Sequence, residues 1–323
     1  MSPQCFESVY PPRLRHEAQT FLRIPPGCVS QEQLAESPQL LGEVELILSC
    51  WGMPRVDEAF LAAAPRLRLI CYAAGSVRHF VTDAMWDRGI RVTHAAGQNA
   101  QPVAEFTFAH VILALKRSLP IMRECRARRV FRQDATIKGA YGTTVGVVSL
   151  GLIGRLVVER LATLGVRTLV YDIHSNPAWA TKHGATYVSL EELFSNSDVV
   201  SIHTPLLDET RGMVGEALLR SMKPGATLIN TARGAIIDEP ALVRVLTERQ
   251  DLSAILDVTH PEPPASDSAL WTLDNAFLFP HIAGAIGGEH ARLGEAMVAE
   301  ARRYLAGEPL LHEVMRESMA VMA

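Results

Sequence analysis

Residues 144–155 read TVGVVSLGLIGR, a valine-rich run followed by a glycine-containing turn and apolar residues at helical spacing. A short apolar run of this kind is typical of a strand buried on both faces of a parallel sheet. The turn, Ser149 to Gly154, has the spacing of GxGxxG with serine at the first glycine position. In that motif, backbone N–H groups at the start of a helix bind a pyrophosphate. The stretch therefore predicts a strand, a dinucleotide-binding turn and a helix.

The next predicted strand ends at an acidic residue. Asp172 follows Gly151 by 21 residues (172 − 151), close to the roughly 20 expected for the carboxylate that accepts the ribose hydroxyls. A carboxylate there repels the 2′-phosphate of NADP, so we expect NAD. A ligand-free strand–helix turn is the alternative, and Asp172 argues against it. If position 149 needs a positive φ, serine costs on the order of 1 kcal/mol; its hydroxyl is also suited to donate to a phosphate.

Short apolar runs and amphipathic segments alternate along the chain from this point to residue 279. Ser189, with Glu192 three residues later, marks one helix start by a capping box, and Pro240 lies in the first turn of another helix, 239–246. Repeated strand–helix–strand units predict a doubly wound parallel sheet. The predicted strands are 144–150, 167–171, 198–203, 226–230, 253–256 and 277–279.

The first hundred residues repeat this pattern more weakly, which predicts a second, smaller α/β lobe. Its strands are 44–49, 67–72 and 91–94, with helices at 59–64 and 81–88, and Phe6–Tyr10 is the only candidate for an earlier strand. Long helices at 101–117 and 289–305 are predicted to connect the lobes. The expected domains are therefore 1–100 with 289–323, and 101–288.

Composition restricts the class of protein. The 323 residues are 48% hydrophobic and 20% charged with a net charge of −4, which fits a globular protein and gives no electrostatic reason to expect nucleic acid or an anionic membrane as partner. No run approaches the roughly 18 apolar residues of a membrane span, and the N-terminus lacks a signal sequence, so a cytoplasmic location is expected. Five scattered cysteines without a CxxC pair predict reduced thiols and no metal site.

Three polar residues follow the ends of predicted strands, where a doubly wound sheet places its ligand site. Arg233 lies in NTARG (230–234), Glu262 in LDVTHPEP (256–263) and His281 in PHIAG (280–284). Taken singly, each is typical of a surface or loop residue. Together they combine an anion-binding fork, a carboxylate and a titratable imidazole, which are groups suited to anion binding and to acid–base chemistry.

With these motifs the sequence resembles the D-isomer-specific 2-hydroxyacid dehydrogenase family. SLGLIGR (149–155), HTPL (203–206), NTARG, the Asp257-to-Glu262 interval and PHIAG occur in the family's order, as do GQNAQPVAE (97–105) and AAGSV (73–77). The resemblance implies two doubly wound α/β lobes, with a Rossmann NAD-binding domain inserted into a smaller flavodoxin-like substrate domain. It also implies a homodimer, in which Phe106, Phe108, Val111 and Leu113 serve either the interface or the core.

The resemblance also implies a role for each residue. Arg233 would clamp the substrate carboxylate, His281 would exchange a proton with the C2 oxygen, and Glu262 would hydrogen-bond the imidazole and favour its protonated form. The substrate would lie between the lobes, bound by backbone N–H groups of Gly75, Ser76 and Val77, with Trp51 either covering it or packing the lobe. The implied cofactor residues are Gly151, Leu152, Ile153, Gly154, Asp172, His203, Thr204, Pro205, Thr231, Ala232, Asp257 and Gly284.

One departure and several alternatives stay open. Many relatives carry an aspartate after the glycine-rich turn of the first lobe, where this sequence reads AGSVRH (74–79) and contains Arg78. Asp257 is also explained as a plain strand-end residue. His260 lies two residues from Glu262 and is interpreted as a loop residue. The same fold also serves NAD-sensing modules of corepressor type and formate- or phosphite-oxidising enzymes, although formate enzymes usually carry glutamine where Glu262 stands. The expected substrate is a small 2-keto or 2-hydroxy acid, and the sequence does not specify which one.

Overall fold

A computed structural model describes residues 1–25, 27–131, 137–174 and 177–320. The chain divides into two compact units, a smaller one of Met1–Asn99 with Ala285–Ala323 and a larger one of Ala100–Gly284. Both contain parallel sheets, as the sequence predicts for an α/β protein. Within the described ranges, no helix combines the length and the apolar character that crossing a lipid bilayer requires.

Strands and helices alternate through most of the described chain. The strands are β1 (Leu46–Ser49), β2 (Leu69–Tyr72), β3 (Arg91–His94), β4 (Thr144–Val148), β5 (Arg167–Tyr171), β6 (Ala185–Tyr187), β7 (Val199–Ile202), β8 (Thr227–Asn230), β9 (Ser253–Leu256) and β10 (Ala276–Leu278). The helices are α1 (Pro3–Val9), α2 (Pro12–Gln19), α3 (Gln31–Glu36), α4 (Glu58–Ala63), α5 (Asp83–Asp87), α6 (Ala96–Leu115), α7 (Ser118–Arg128), α8 (Leu152–Leu161), α9 (Pro177–Lys182), α10 (Leu190–Asn196), α11 (Glu216–Ser221), α12 (Glu239–Glu248) and α13 (His290–Leu305). Short 3₁₀ turns lie at Pro38–Leu41, Asp208–Thr210, Gly234–Ile236, Ala269–Trp271, Gly287–Glu289 and Arg316–Ala320.

The smaller unit has a three-stranded parallel sheet in the order β1-β2-β3. The strand predicted at Phe6–Tyr10 is wrong, because these residues belong to α1 and the turn after it. Pro3 in the first helical turn pre-sets the backbone for a helix. Helix α13 approaches α1 so closely that a Cβ on Gly294 would lie 2.0 Å from the Val9 carbonyl oxygen. This contact favours the helix over an extended chain.

The larger unit has a seven-stranded parallel sheet in the order β10-β9-β8-β7-β4-β5-β6. The chain runs outward from β4 to β6, returns to the centre at β7 and continues to the opposite edge. The winding direction therefore reverses between β4 and β7, and the crevice at the carboxyl ends of such strands is where doubly wound sheets bind ligands. Buried apolar clusters cover the sheet, one around Leu193, Leu228 and Leu242 and another around Val147, Val157 and Ile255.

Helix α6 supplies one wall of the second cluster. Val111 is fully buried there and Phe108 packs against the same cluster, so both serve the core. Leu113 is partly exposed, and Phe106 packs edge-on against Phe279. The homodimer stays a prediction.

Candidate functional site

Polar residues follow six of the seven strands of the larger sheet at its carboxyl edge. Going outward from the point of reversal in one direction, Ser149 follows β4 and Asp172 follows β5. In the other direction, His203 follows β7, Thr231 follows β8 and Asp257 follows β9. His281 comes after β10, separated from it by Phe279 and Pro280. Parallel strands bring all of these positions to one edge.

The phosphate turn, Ser149 to Gly154, has the geometry that a pyrophosphate needs. Gly151 caps the N-terminus of α8 in an extended conformation, and a Cβ there would meet no atom within 4 Å. Gly154 has no such space, because its Cβ would lie 2.0 Å from the Ser149 carbonyl oxygen. Leu152 is 59% exposed, whereas Ile153 packs against the core. The turn therefore leaves the helix N-terminus open to an anionic ligand while packing tightly beneath it.

Ser149 and Asp172 are directly bonded. Ser149 has a positive φ of 79°, and its hydroxyl donates to Asp172 Oδ2 at 3.0 Å rather than pointing to an anion site of its own. The Leu150 N–H donates to the same oxygen, and the His174 N–H donates to Oδ1 at 2.7 Å. The Ser149 N–H also donates to the Tyr171 carbonyl at 2.7 Å. The phosphate turn and the end of β5 thus form one hydrogen-bonded assembly.

Two buried polar atoms after β7 have no hydrogen-bond partner in the part of the chain that the structure describes. His203 Nε2 bonds to Ser201 Oγ at 2.9 Å, and burial lowers the pKa of His203 to about 3, so its ring is neutral at physiological pH. Among the described residues, no group hydrogen-bonds His203 Nδ1 or Thr204 Oγ1. Buried polar atoms are rarely left unpaired in a folded protein. With Pro205 beside them, they fit a polar ligand that lies along this edge.

Arg233 is held by the turn that follows β8. The Asn230 side chain accepts from the Ala232 N–H and donates to the Arg233 carbonyl, both at 3.0 Å, and Arg233 itself donates to the Ala232 carbonyl at 2.7 Å. Burial lowers the pKa of the Arg233 guanidinium, while the negative charge of Glu262 acts in the opposite direction. A partly desolvated guanidinium near one carboxylate is suited to bind an anion.

Thr231 and Ala232, the predicted cofactor residues before Arg233, are both buried. The Thr231 hydroxyl bonds to Thr107 at 3.1 Å. Beyond Arg233, a Cβ on Gly234 would lie 2.0 Å from the Thr259 backbone. This close approach packs the Arg233 turn against the loop that carries Glu262.

The histidine turn, His281 to Gly284, brings the imidazole to Glu262. His281 Nδ1 lies 2.6 Å from Glu262 Oε1, and the two side chains are 50% and 42% exposed. Asp257 holds the turn, because its carboxylate oxygens accept the N–H groups of Ile282 at 2.8 Å and Ala283 at 2.9 Å. With Nδ1 engaged by Glu262, Nε2 is the nitrogen available for proton transfer.

His260 lies in the same loop as Glu262 but outside this arrangement. Its backbone N–H donates to Glu239 Oε2 at 3.0 Å, and the residue is exposed. No described hydrogen bond links its ring to His281 or Glu262, which agrees with its interpretation as a loop residue.

The predicted substrate contacts of the smaller unit follow its strands in the same manner. Gly75, Ser76 and Val77 come after β2; Val77 is fully buried, and the Gly75 carbonyl contacts His94 Nδ1 at 3.0 Å. Trp51 follows β1 and packs against His290 with ring centroids 5.2 Å apart, which supports the packing role that the sequence left open. Arg78 donates to the Met319 carbonyl oxygen. Substrate binding by these residues stays a prediction.

The sequence interpretation missed several residues that build the site. It did not assign Asn230 a role, although Asn230 opens the NTARG motif. It also missed the Ser149–Asp172 bond and the support that Asp257 gives to the histidine turn. Only the strand-end placement of these polar residues hinted at them, since the contacts depend on which strands become neighbours. Among the described residues, no group of three or more histidine, cysteine or acidic side chains is arranged to hold a metal ion.

Comparison with known proteins gives consistent matches. Residues 108–283 match the NAD binding domain described for D-isomer specific 2-hydroxyacid dehydrogenases. A glyoxylate reductase of Korarchaeum cryptofilum is 38% identical over 250 residues, 76% of this chain and 75% of that protein. The D-3-phosphoglycerate dehydrogenase of Mycobacterium tuberculosis (strain ATCC 25618 / H37Rv) is 35% identical over 257 residues, 78% of this chain but 48% of that protein. The chain thus spans about half the length of the phosphoglycerate dehydrogenase that it matches.

A solved structure extends the likeness to both units. The D-lactate dehydrogenase from Aquifex aeolicus, complexed with NAD and lactic acid, superposes with a TM-score of 0.71 at 30% identity. The match covers 95% of this chain and 94% of that one.

Proposed function

Since the chain belongs to the D-isomer specific 2-hydroxyacid dehydrogenase family, we propose that it is an NAD-dependent oxidoreductase that interconverts a small 2-keto acid and the D-2-hydroxy acid. The observation that carries this proposal is the pairing of His281 with Glu262 in a loop packed against the Arg233 turn, at the carboxyl edge of the matched NAD binding domain. This edge combines an anion-binding side chain with an acid–base pair.

The residues of the larger unit fit NAD. The N-terminus of α8 above Gly151 would hold the pyrophosphate, and Asp172 would accept a ribose hydroxyl. The unpartnered His203 Nδ1 and Thr204 Oγ1 offer a polar contact for the adenosine side. Thr231, Ala232, Asp257 and Gly284 are proposed to lie along the nicotinamide half. When bound, NAD supplies the acceptor or donor of the hydride.

The remaining chemistry belongs to the chain's own side chains. Arg233 binds the carboxylate of the keto acid and polarises its C2 carbonyl. As C2 gains a hydride during reduction, the carbonyl oxygen takes the proton from His281 Nε2, and the alcohol returns that proton during oxidation. Glu262 fixes the tautomer by accepting from Nδ1–H, which leaves Nε2 to face the substrate oxygen.

Relatives support a small substrate. The glyoxylate reductase and the D-lactate dehydrogenase, by their names, act on two- and three-carbon acids, and both match this chain over most of their length. We therefore propose glyoxylate, hydroxypyruvate or pyruvate as the first substrates to examine.

A substrate panel tests this function. The purified chain is given NADH with each of these keto acids, and oxidation of NADH is followed by absorbance while chiral chromatography identifies the product. We expect turnover with at least one acid and a D-configured product. NADH binding without turnover on any keto acid, or oxidation of formate with NAD in place of these reductions, would contradict the proposal.

A further inference from the structure

The turn that binds phosphates in this fold carries a side chain where glycine is usual. Ser149 has a φ of 79°, a conformation that is strained for a residue with a Cβ and that glycine adopts freely. Ser149 is also nearly buried, at 9% exposure. A strained, buried serine is retained more readily where its hydroxyl makes a contact that glycine cannot make.

That contact is with Asp172. A carboxylate offers about four acceptor positions, two on each oxygen. Among the described residues, Ser149 Oγ and the Leu150 N–H fill both positions on Oδ2, and the His174 N–H fills one on Oδ1. One acceptor position is left for an incoming ligand. With glycine at position 149, two positions would be open and the carboxylate would have one fewer bond to hold it.

The hydroxyl also restricts the motion of the carboxylate. Asp172 is buried, at 8% exposure, and donors from two separate segments, 149–150 and 174, hold its oxygens on opposite sides. A side chain that is fixed before the ligand arrives loses less rotamer entropy on binding. A carboxylate that is fixed also cannot rotate away from a phosphate of the ligand, so the two negative charges continue to repel each other.

We propose that Ser149 is a specificity-determining residue for the dinucleotide: its hydroxyl fixes the Asp172 carboxylate so that one acceptor position takes a ribose 2′-hydroxyl and a 2′-phosphate is excluded. The inference rests on the proposed NAD-dependent function and deepens it. It assigns the discrimination between NAD and NADP to Ser149 and Asp172 together. Ser149 acts on the ligand through Asp172 and is therefore a positioning residue.

Two substitutions separate the hydroxyl from the backbone strain. S149A removes the hydroxyl and keeps a Cβ at positive φ, whereas S149G removes both. NADH and NADPH binding is titrated by fluorescence without any keto acid, and the melting temperature of each unliganded protein is measured. S195A is the matched control, because Ser195 is exposed on α10 and the hydrogen bonds described for its hydroxyl, to the Glu191 and Glu192 carbonyls and from the Asn196 side chain, all lie within that helix.

We expect both S149A and S149G to raise the Kd for NADH by about 2- to 10-fold. The Kd for NADPH should stay constant or fall, so the preference for NADH narrows in both variants. S149G should melt about 2–4 °C above S149A, because glycine relieves the positive φ. The affinity for NADH would then depend on the Ser149 hydroxyl, and the melting temperature would depend on the backbone conformation at position 149.

Two results would overturn the inference. One is an unchanged preference for NADH in both Ser149 variants. The other is NADH binding that tracks melting temperature, with S149G binding as tightly as the unmodified chain and S149A more weakly, since this indicates a purely structural serine. If the unmodified, folded chain fails to bind NADH in the same titration, the proposed function falls and the inference falls with it.

Discussion

Two turns at the carboxyl edge of the larger sheet are held by similar hydrogen bonds but have different proposed roles. The phosphate turn is tied down by Asp172 and the histidine turn by Asp257, each an aspartate directly after a strand. Each turn also carries a residue with positive φ that is not glycine, Ser149 at 79° and His281 at 55°.

The difference lies in what occupies the carboxylates. Both oxygens of Asp257 accept a backbone N–H of the histidine turn, so this carboxylate supports the loop. Asp172 accepts a side-chain hydroxyl together with two backbone N–H groups from two segments, and it is 8% exposed where Asp257 is 1% exposed. The same residue type after a strand therefore supports the histidine turn in one place and, on the function proposed above, binds the cofactor in the other. We expect damage to the histidine turn to affect chemistry and damage to the phosphate turn to affect cofactor binding.

The largest effect is expected from His281→Ala in the histidine turn. Loss of the proton donor should lower kcat by about 100-fold or more, while the Kd for NADH stays within about twofold because the phosphate turn is untouched. Steady-state kinetics and an NADH titration measure the two quantities. His260→Ala, two residues from Glu262, is the matched control and should keep normal kcat. Equal losses in both variants would show that the acid–base residue is misassigned.

A glycine pair tests the phosphate turn. A Cβ on Gly154 would lie 2.0 Å from a backbone oxygen, whereas one on Gly151 would meet open space. Gly154→Ala should therefore weaken NADH binding by at least about tenfold and lower the melting temperature by several degrees, since overpacking typically costs about 1–3 kcal/mol. Gly151→Ala should weaken binding with little change in melting temperature. Equal melting temperatures for the two variants would contradict the packing role of Gly154.

Changing each aspartate to asparagine compares the two turns directly. In Asp257→Asn, an amide N–H group must face a backbone N–H of the histidine turn, so we expect kcat to fall about tenfold with little change in NADH affinity. In Asp172→Asn, we expect the Kd for NADH to rise about tenfold with kcat at saturation nearly kept. If Asp257→Asn weakens NADH binding more than it lowers kcat, Asp257 acts mainly as a cofactor ligand and the comparison fails.

The smallest expected effect is a change in stability with pH. It concerns a second contrast, between the buried His203 and the half-exposed His281. Burial lowers the pKa of His203 to about 3, below its ordinary value of about 6.5. Below pH 6.5 the unfolded chain therefore binds a proton at this position that the native chain does not. As the pH is lowered, this group should reduce the free energy of unfolding by about 1.4 kcal/mol per pH unit, or by about 2 kcal/mol from pH 6.5 to pH 5.

Urea unfolding at pH 7 and pH 5 measures this loss. His203→Gln lacks the titrating ring and should lose about 2 kcal/mol less than the unmodified chain over this interval. Identical losses in both proteins would mean that His203 takes up its proton in the native state as readily as in the unfolded one.

Most of the sheet could be predicted because its strands are buried on both faces and so read as continuous apolar runs. Strands β3, β5 and β9 begin and end at the predicted residues. The three-residue strand β6 was not predicted, because Ala185-Thr186-Tyr187 is not a continuous apolar run. Phe6–Tyr10 misled in the opposite sense, since its aromatic and β-branched residues favour a strand while their packing against α13 requires a helix.

The sequence could predict which residues lie at the candidate site, but it could not predict which of their atoms are in contact. Strand-end placement and the resemblance to the family together predict Arg233, Asp172 and His281 as site residues, because parallel strands carry their ends to one edge. The bond between Ser149 and Asp172 joins residues 23 apart and exists because β4 and β5 are neighbours. Likewise, Asp257 reaches the histidine turn because β9 and β10 are paired. Such contacts depend on strand order, which a single sequence does not display residue by residue.

The absence of space at Gly234 has a practical consequence for protein engineering. Its backbone lies against Thr259 so closely that no side chain fits between them. The segment that carries Arg233 therefore cannot shift to accept a bulkier acid unless the segment that carries Glu262 shifts with it. Libraries that randomise 231–235 alone will mostly yield misfolded or inactive members, whereas libraries that vary 231–235 and 258–262 together sample the joint displacements through which the substrate range can widen.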